Sequence, residues 1–222
     1  MNVEVNTLRF LGAAQLLVFI ASLLSDQLLK SVVGSGGIAV ILVNISENAS
    51  RMRISNLIAL INSLAIIVLG VLFYAVLSQQ NKTLALVALG CFLAEAITLA
   101  VSKIGAYALI PLSREFVAAG TPEATHFQSL GNFLYHGVDR RGYDIHMLFF
   151  CLGGTLWYFL LYRSGIVPPA LAIWGLAAIC LLSVPVLFTL LERESLLVMI
   201  LGLPYAPFEL ILGIWLVVMG FY

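Results

Sequence analysis

Glu95 in LGCFLAEAITLAV and Glu209 in LPYAPFELILGIW each stand near the middle of a long apolar run. An ionised side chain at the centre of a membrane-spanning helix costs about 2.5–3.5 kcal/mol on insertion scales, so each acid is expected to face the protein interior or a wet cavity. Glu209 follows Gly202, Pro204 and Pro207, and the two prolines remove backbone donors, so a kink or break is predicted just before it. Broken helices are tolerated at mid-membrane where they line a cavity, and in transporters they build substrate and ion sites. One reading of Glu209 is therefore a polar pocket, and the other is a structural kink whose acid bonds a neighbouring helix. For Glu95 the plainer reading is a hydrogen bond to Asn62, Gln15 or a serine, which ties helices together by about 0.6–2 kcal/mol. If the two acids share one cavity, the reading becomes a proton- or cation-linked site, because two close carboxylates do not both ionise cheaply.

Residues 136–146, HGVDRRGYDIH, crowd charge at the foot of the uncharged stretch MLFFCLGGTLWYFLLY. On a helix Asp139, Tyr143 and His146 follow i, i+4 and i+7 and share a face, while Arg140 and Asp144 pair at i, i+4 on another. Asp139, Arg140, Arg141 and Asp144 read as an interfacial collar whose charges pair among themselves and stay wet. His146 and Tyr143, on its inner side, join Glu95 and Glu209 as a candidate ligand or proton pocket.

Catalytic chemistry has less to stand on, and no residue is assigned a catalytic role. His126, His136 and His146 are ten apart, which is far from a whole number of helical turns, so they form no single-helix metal triad. Neither a paired-cysteine motif nor His-Glu-x-x-His is present, and no metal or cofactor is assigned. The serine-hydrolase elbow, the phosphate-cradling lysine loop and the dinucleotide glycine fingerprint are also missing. Cys91, Cys151 and Cys180 lie inside apolar runs and read as small buried hydrophobes.

The elements that must position these residues follow from hydropathy. Of 222 residues 62% are hydrophobic and 10% charged, against about 45–50% and about 25% in soluble domains. Basic and acidic residues balance at 11 each, which leaves no field to attract nucleic acid. A spanning helix needs about 20 apolar residues, and six such runs are predicted near 8–30, 54–78, 83–110, 143–163, 168–191 and 196–220. The first is read as a retained span, since Asp26 and Lys30 follow it where a cleavage site would lie. SQQNKT and RSGIVPP are tight turns, the second marked by Pro168 and Pro169 at a helix start. The aromatic ends LFYAVLS and WYFLLYRS read as interfacial belts, and Gly153-Gly154 as a place for close helix packing.

Between the spans, GGIAVILVNI is too short to cross and is expected at the interface; the sequons at Asn44 and Asn48 matter only in a eukaryotic secretory pathway. In the link 111–142, Thr121, Pro122 and Glu123 open a predicted helix that Gly137 closes, with Phe127, Leu130 and Leu134 as its apolar stripe. The expectation is one all-α domain over 1–222: an integral membrane bundle of six transmembrane helices, with an interfacial amphipathic helix near 121–137. Six spans put both termini on one side, together with Arg9, Lys82 and Arg163; the other eight basic residues lie opposite, which by count puts the termini outside.

The stretches EFVAAGTPEATHFQSLG, FFCLGGTLWYFLLYRSGIVPPALAIWGL and LPYAPFELILGIWLVVMGFY, with Arg9, Gly12 and Glu95, resemble a family of multi-pass bacterial membrane proteins, domain of unknown function 4386. The resemblance implies a bacterial plasma membrane location with cytoplasmic termini, and no reaction. The resulting reading is a non-enzymatic module that binds or moves a small amphiphile or ion through a polar intramembrane pocket around Glu209 and Glu95. The alternative is a scaffold or accessory subunit with a membrane-complex partner or a second copy of itself. An intramembrane hydrolase using His146 with either acid is the least supported. Lipid and a small-molecule ligand are the partners expected.

Overall fold

In lipid a backbone must satisfy its own hydrogen bonds, and each apolar run does so as a helix. A computed structural model describes residues 5–119, 124–193 and 196–219. In chain order these hold α1 (Val5–Val33), α2 (Ile38–Glu47), α3 (Ala49–Leu77), α4 (Lys82–Ala119), α5 (Ala124–Asn132), a π-helical turn (Phe133–Arg140), α6 (Arg141–Ser164), α7 (Pro169–Leu190), α8 (Leu196–Met199), a 3-10 turn (Ile200–Gly202) and α9 (Tyr205–Met219). No strand occurs among the described residues. Among the described residues six stretches are long and apolar enough to cross a membrane: Asn6–Val33, Ala49–Leu77, Lys82–Ala119, Thr125–Ser164, Pro169–Leu190 and Ile200–Met219. The chain is an all-α, multi-pass integral membrane protein.

Burial runs opposite to the soluble pattern. Gln15, Asn56, Asn62, Glu95, Lys103 and Asp139 are buried, while Phe10, Leu64, Val68, Ile97 and Ile104 are exposed. Lipid explains the inversion, because apolar side chains lose nothing by facing hydrocarbon and polar ones need partners inside.

Where helices end differs from expectation at two punctuation residues. Pro111 was expected to begin the link, yet α4 continues through it to Ala119. An interior proline costs about 3 kcal/mol; burial of its neighbours Leu109, Ile110 and Leu112 offsets that cost. Gly137 does not close a helix either: the π turn carries the chain into α6, so the amphipathic helix and the fourth span are one helical stretch. The expected cap residues Thr121, Pro122 and Glu123 lie outside the described residues. The short turns hold as read. Asn81 caps α4 by accepting a hydrogen bond from the Leu84 backbone N–H at 3.0 Å, and Gly165 turns the chain into α7 with φ +67°, a conformation costly for any side chain with a Cβ.

The chain forms two compact units, one of Met1–Phe19, Leu64–Ala96 and Asp144–Tyr222, the other of Ile20–Ser63 and Ile97–Tyr143. The division falls inside α1, α3, α4 and α6. In the first unit Trp157 stacks on Phe73 at 5.3 Å between ring centres, and Phe92 meets both rings edge-on. Trp157 and Tyr158 are thus core residues, not the interfacial belt expected, and the outward aromatics of α6 are Phe159 and Tyr162. In the second unit α2 lays Ile41, Leu42 and Ile45 into a core with Met52, Leu109 and Tyr135. Phe127 and Leu134 pack on that core, and Gly131 lets Leu42 approach. Leu130, expected in the same stripe, is exposed, because i, i+4, i+7 spacing through Gly131 sets the face instead.

Candidate functional site

The predicted break precedes Glu209: the 3-10 turn ends at Gly202, Leu203 and Pro204 form a turn, and α9 restarts at Tyr205. Glu209 therefore sits in the second turn of a new helix. Its Oε1 accepts a hydrogen bond from Gln15 Nε2 of α1 at 2.7 Å, with both side chains buried. Two glycines make this reach possible. A Cβ at Gly12 would stand 2.6 Å from Val217 N, and one at Gly213 would stand 2.7 Å from Leu16 Cδ2, so α1 and α9 touch along their backbones.

Glu95 meets α6 through the corresponding close approach at Gly153, where a Cβ would stand 2.6 Å from Phe92 Cδ1 of α4. His146 Nδ1 lies 3.2 Å from the Glu95 backbone oxygen and 3.9 Å from Glu95 Oε1, a charged pair only when the imidazole is protonated. Glu95 Oε2 is buried and has no hydrogen-bond partner among the described residues. Gln15, one of the partners expected for Glu95, is engaged with Glu209 instead.

The buried hydroxyls of Tyr158 on α6 and Tyr205 on α9 are hydrogen-bonded to each other. Phe208 wedges against Tyr158 and Trp174, and holds α9 to α7 over Gly175. Two acids, an imidazole, an amide and two phenols can relay or hold a proton and can face a small cation. Among the described residues no three of His, Cys, Asp and Glu converge as metal ligands. Cys151 is buried as expected, Cys91 is half-buried and Cys180 is exposed on α7, and all three are free thiols.

The fourth expected pocket residue, Tyr143, belongs to the second unit. Its ring lies 5.7 Å under the Arg140 guanidinium, and it lines a cavity with Ser25, Asp26, Ser55, Lys103 and Asp139. Here the collar expectation fails for Asp139. It is 1% exposed and its Oδ1 lies 2.6 Å from Lys103 Nζ, whereas Arg140, Arg141 and Asp144 are half-buried. A carboxylate turned inward must find a cation, and the one at hand is on α4, not in the collar. Lys103 carried the signal that was missed: it is a lone cation in LAVSKIGAYALI, subject to the same lipid cost as the two acids. Tyr158 and Tyr205 had no such signal, since nothing in their local pattern separates a core phenol from a belt.

Searches against curated proteins and against solved structures find no match. The family model described as Domain of unknown function (DUF4386) matches residues 10–220. That match spans nearly the whole chain, so the protein with the Glu95–His146 and Gln15–Glu209 pairs belongs to the domain of unknown function family DUF4386.

Proposed function

We propose that this protein binds or moves a small ion or amphiphile, with a proton as the simplest such ion, through the polar cluster of Glu95, Glu209 and His146 in a bacterial plasma membrane. The observation that carries the reading is Glu95. Its Oε2 is buried without a hydrogen-bond partner among the described residues, beside an imidazole. A buried acceptor left so is costly, by about 1–3 kcal/mol or more for a charged group, and a proton or a small cation relieves that cost. Packing alone asks for no such arrangement, because an apolar residue at position 95 would fill α4 without it.

Reconstitution tests the reading. Protein in liposomes loaded with a pH-sensitive dye, under a potassium diffusion potential set by valinomycin, is expected to acidify or alkalinise the lumen faster than empty liposomes. Glu95→Gln and Glu209→Gln, each folded by circular dichroism, are expected to lose that excess. Thermal unfolding with sodium chloride, potassium chloride and tetraphenylphosphonium covers non-proton cargo, with stabilisation expected for wild type and lost in Glu209→Gln. No flux and no stabilisation by any of these would overturn the reading, as would flux or stabilisation unchanged in both variants.

A further inference from the structure

The second unit holds a polar cleft that the cluster around Glu95 does not use. It opens where α2 passes into α3, has a volume of about 380 Å³, and is lined by Ser46, Glu47, Asn48, Ser50, Arg51 and Arg114. That volume is in the ordinary range of ligand pockets, about 300–1,000 Å³. Two cations and one anion face it, yet they do not neutralise one another. Among the described residues neither guanidinium pairs with Glu47 or with any other carboxylate. The end of α3 adds to the imbalance. It opens ASRMR, with no acid in its first turn. A helix dipole favours anions at the N-terminus and cations at the C-terminus, so Arg51, the third residue of α3, stands at the wrong end until an anion joins it.

We propose that this cleft binds the phosphate of an anionic glycerophospholipid, with Arg51 and Arg114 as its two clamps. A guanidinium presents a planar fork of N–H donors that takes phosphate oxygens two at a time, and α3 and α4 supply one fork each. Ser46 and Ser50 add hydroxyl donors. Asn48 Nδ2 is engaged, donating to the Asn44 carbonyl at 3.0 Å, so that amide has its acceptor Oδ1 to offer, and with Glu47 it suits headgroup hydroxyls. Charge selects the lipid. Two arginines against Glu47 leave one net positive charge, which a phosphatidylglycerol phosphodiester matches and a zwitterionic headgroup does not. The surface below the cleft selects a lipid over a free phosphate. Arg51 and Ile54 are i, i+3 on α3, and Tyr107, Pro111 and Arg114 share a face of α4 at i, i+4 and i+7. Ile54, Tyr107 and Pro111 are exposed, on helices apolar enough to span, so acyl chains can follow that outer surface down from the phosphate. The ten apolar residues of α2, too few to cross, put this junction at the membrane surface, where basic pockets at helix ends take lipid headgroups.

Native mass spectrometry of the full chain, delipidated in mild detergent and titrated with phosphatidylglycerol or phosphatidylethanolamine, tests the proposal. Phosphatidylglycerol is expected to bind at least about tenfold tighter than phosphatidylethanolamine, the worth of one charge-assisted contact. Arg51→Gln and Arg114→Gln, each folded by circular dichroism, are each expected to weaken that binding by about tenfold. Both side chains are exposed, and either folded variant is sufficient for the test. Arg163→Gln removes the same charge outside the cleft and is expected to bind as the wild type does. Inorganic phosphate in excess is expected not to displace the lipid. The proposal is overturned by equal affinity for the two lipids, or by displacement with inorganic phosphate, which marks a site for a free anion. It is overturned as well if a cleft variant binds like the wild type or loses no more than Arg163→Gln.

Discussion

Lys103 Nζ and Asp139 Oδ1 stand 2.6 Å apart, both buried, and join α4 to the π turn across 36 residues of sequence. Removing one partner strands a charge away from water, while removing both does not, since taking two ions out of water offsets much of their attraction. Lys103→Met is therefore expected to lose about 3–5 kcal/mol of stability, read by denaturant unfolding in mild detergent. Lys103→Met with Asp139→Leu is expected to recover most of that loss. Equal losses in the single and double variants would mean that the pair is not what the site depends on.

The contact between α1 and α9 rests on Gly12, where an added Cβ would stand 2.6 Å from Val217 N and 2.8 Å from Gly213 O. Both obstacles are backbone, which has no rotamer to yield. Gly12→Ala is expected to lose about 1–3 kcal/mol, the usual cost of overpacking, and to lengthen the Gln15–Glu209 hydrogen bond. Gly90 on α4 is the control, because a Cβ there meets nothing within 4 Å. Gly90→Ala is expected to be neutral or to stabilise by up to about 1 kcal/mol through helix propensity alone. Unfolding curves of the two variants side by side decide it.

Leu64 is 65% exposed on α3, in a helix that is otherwise apolar enough to span. Leu64→Arg is expected to lower membrane integration by about 2.5–3.5 kcal/mol, read as the fraction inserted in a translocon glycosylation assay. The same change at an exposed position of a water-facing helix would cost next to nothing, so unaltered insertion would argue against lipid at this face.

Trp157 is fully buried between Phe73 and Phe92. Trp157→Ala is expected to lose about 3–5 kcal/mol, and Trp157→Phe, which keeps a ring in the stack, under about half of that. Near-ultraviolet circular dichroism of the aromatic region should flatten in the first variant and persist in the second.

Much of this architecture was legible along the chain because its signals are local. Spanning potential is a sum over about 20 neighbouring residues, so the six apolar stretches follow from composition in windows. Pro204 and Pro207 act on their own backbone, so the break before Glu209 was readable too. Glu95 and Glu209 announced themselves by the cost of charge in lipid. The same rule applied to Lys103 would have singled it out, and its partner would still have been unknown.

Partners and helix ends belonged to the tertiary structure. Whether Pro111 stops α4 depends on how much apolar surface its neighbours bury against α2 and the π turn, a quantity no local window contains. Gly137 reads as a stop, yet the chain passes through it as a π turn because Tyr135 and Asp139, on either side, both find places in the interior. His146 reaches Glu95 across 51 residues and Gln15 reaches Glu209 across 194, distances set by which glycines let α6 approach α4 and α1 approach α9. Hydropathy determines that a helix is in the membrane, since it is a property of each residue in its solvent. Which polar group meets which is a property of helix register and close packing, and only the assembled helices decide it.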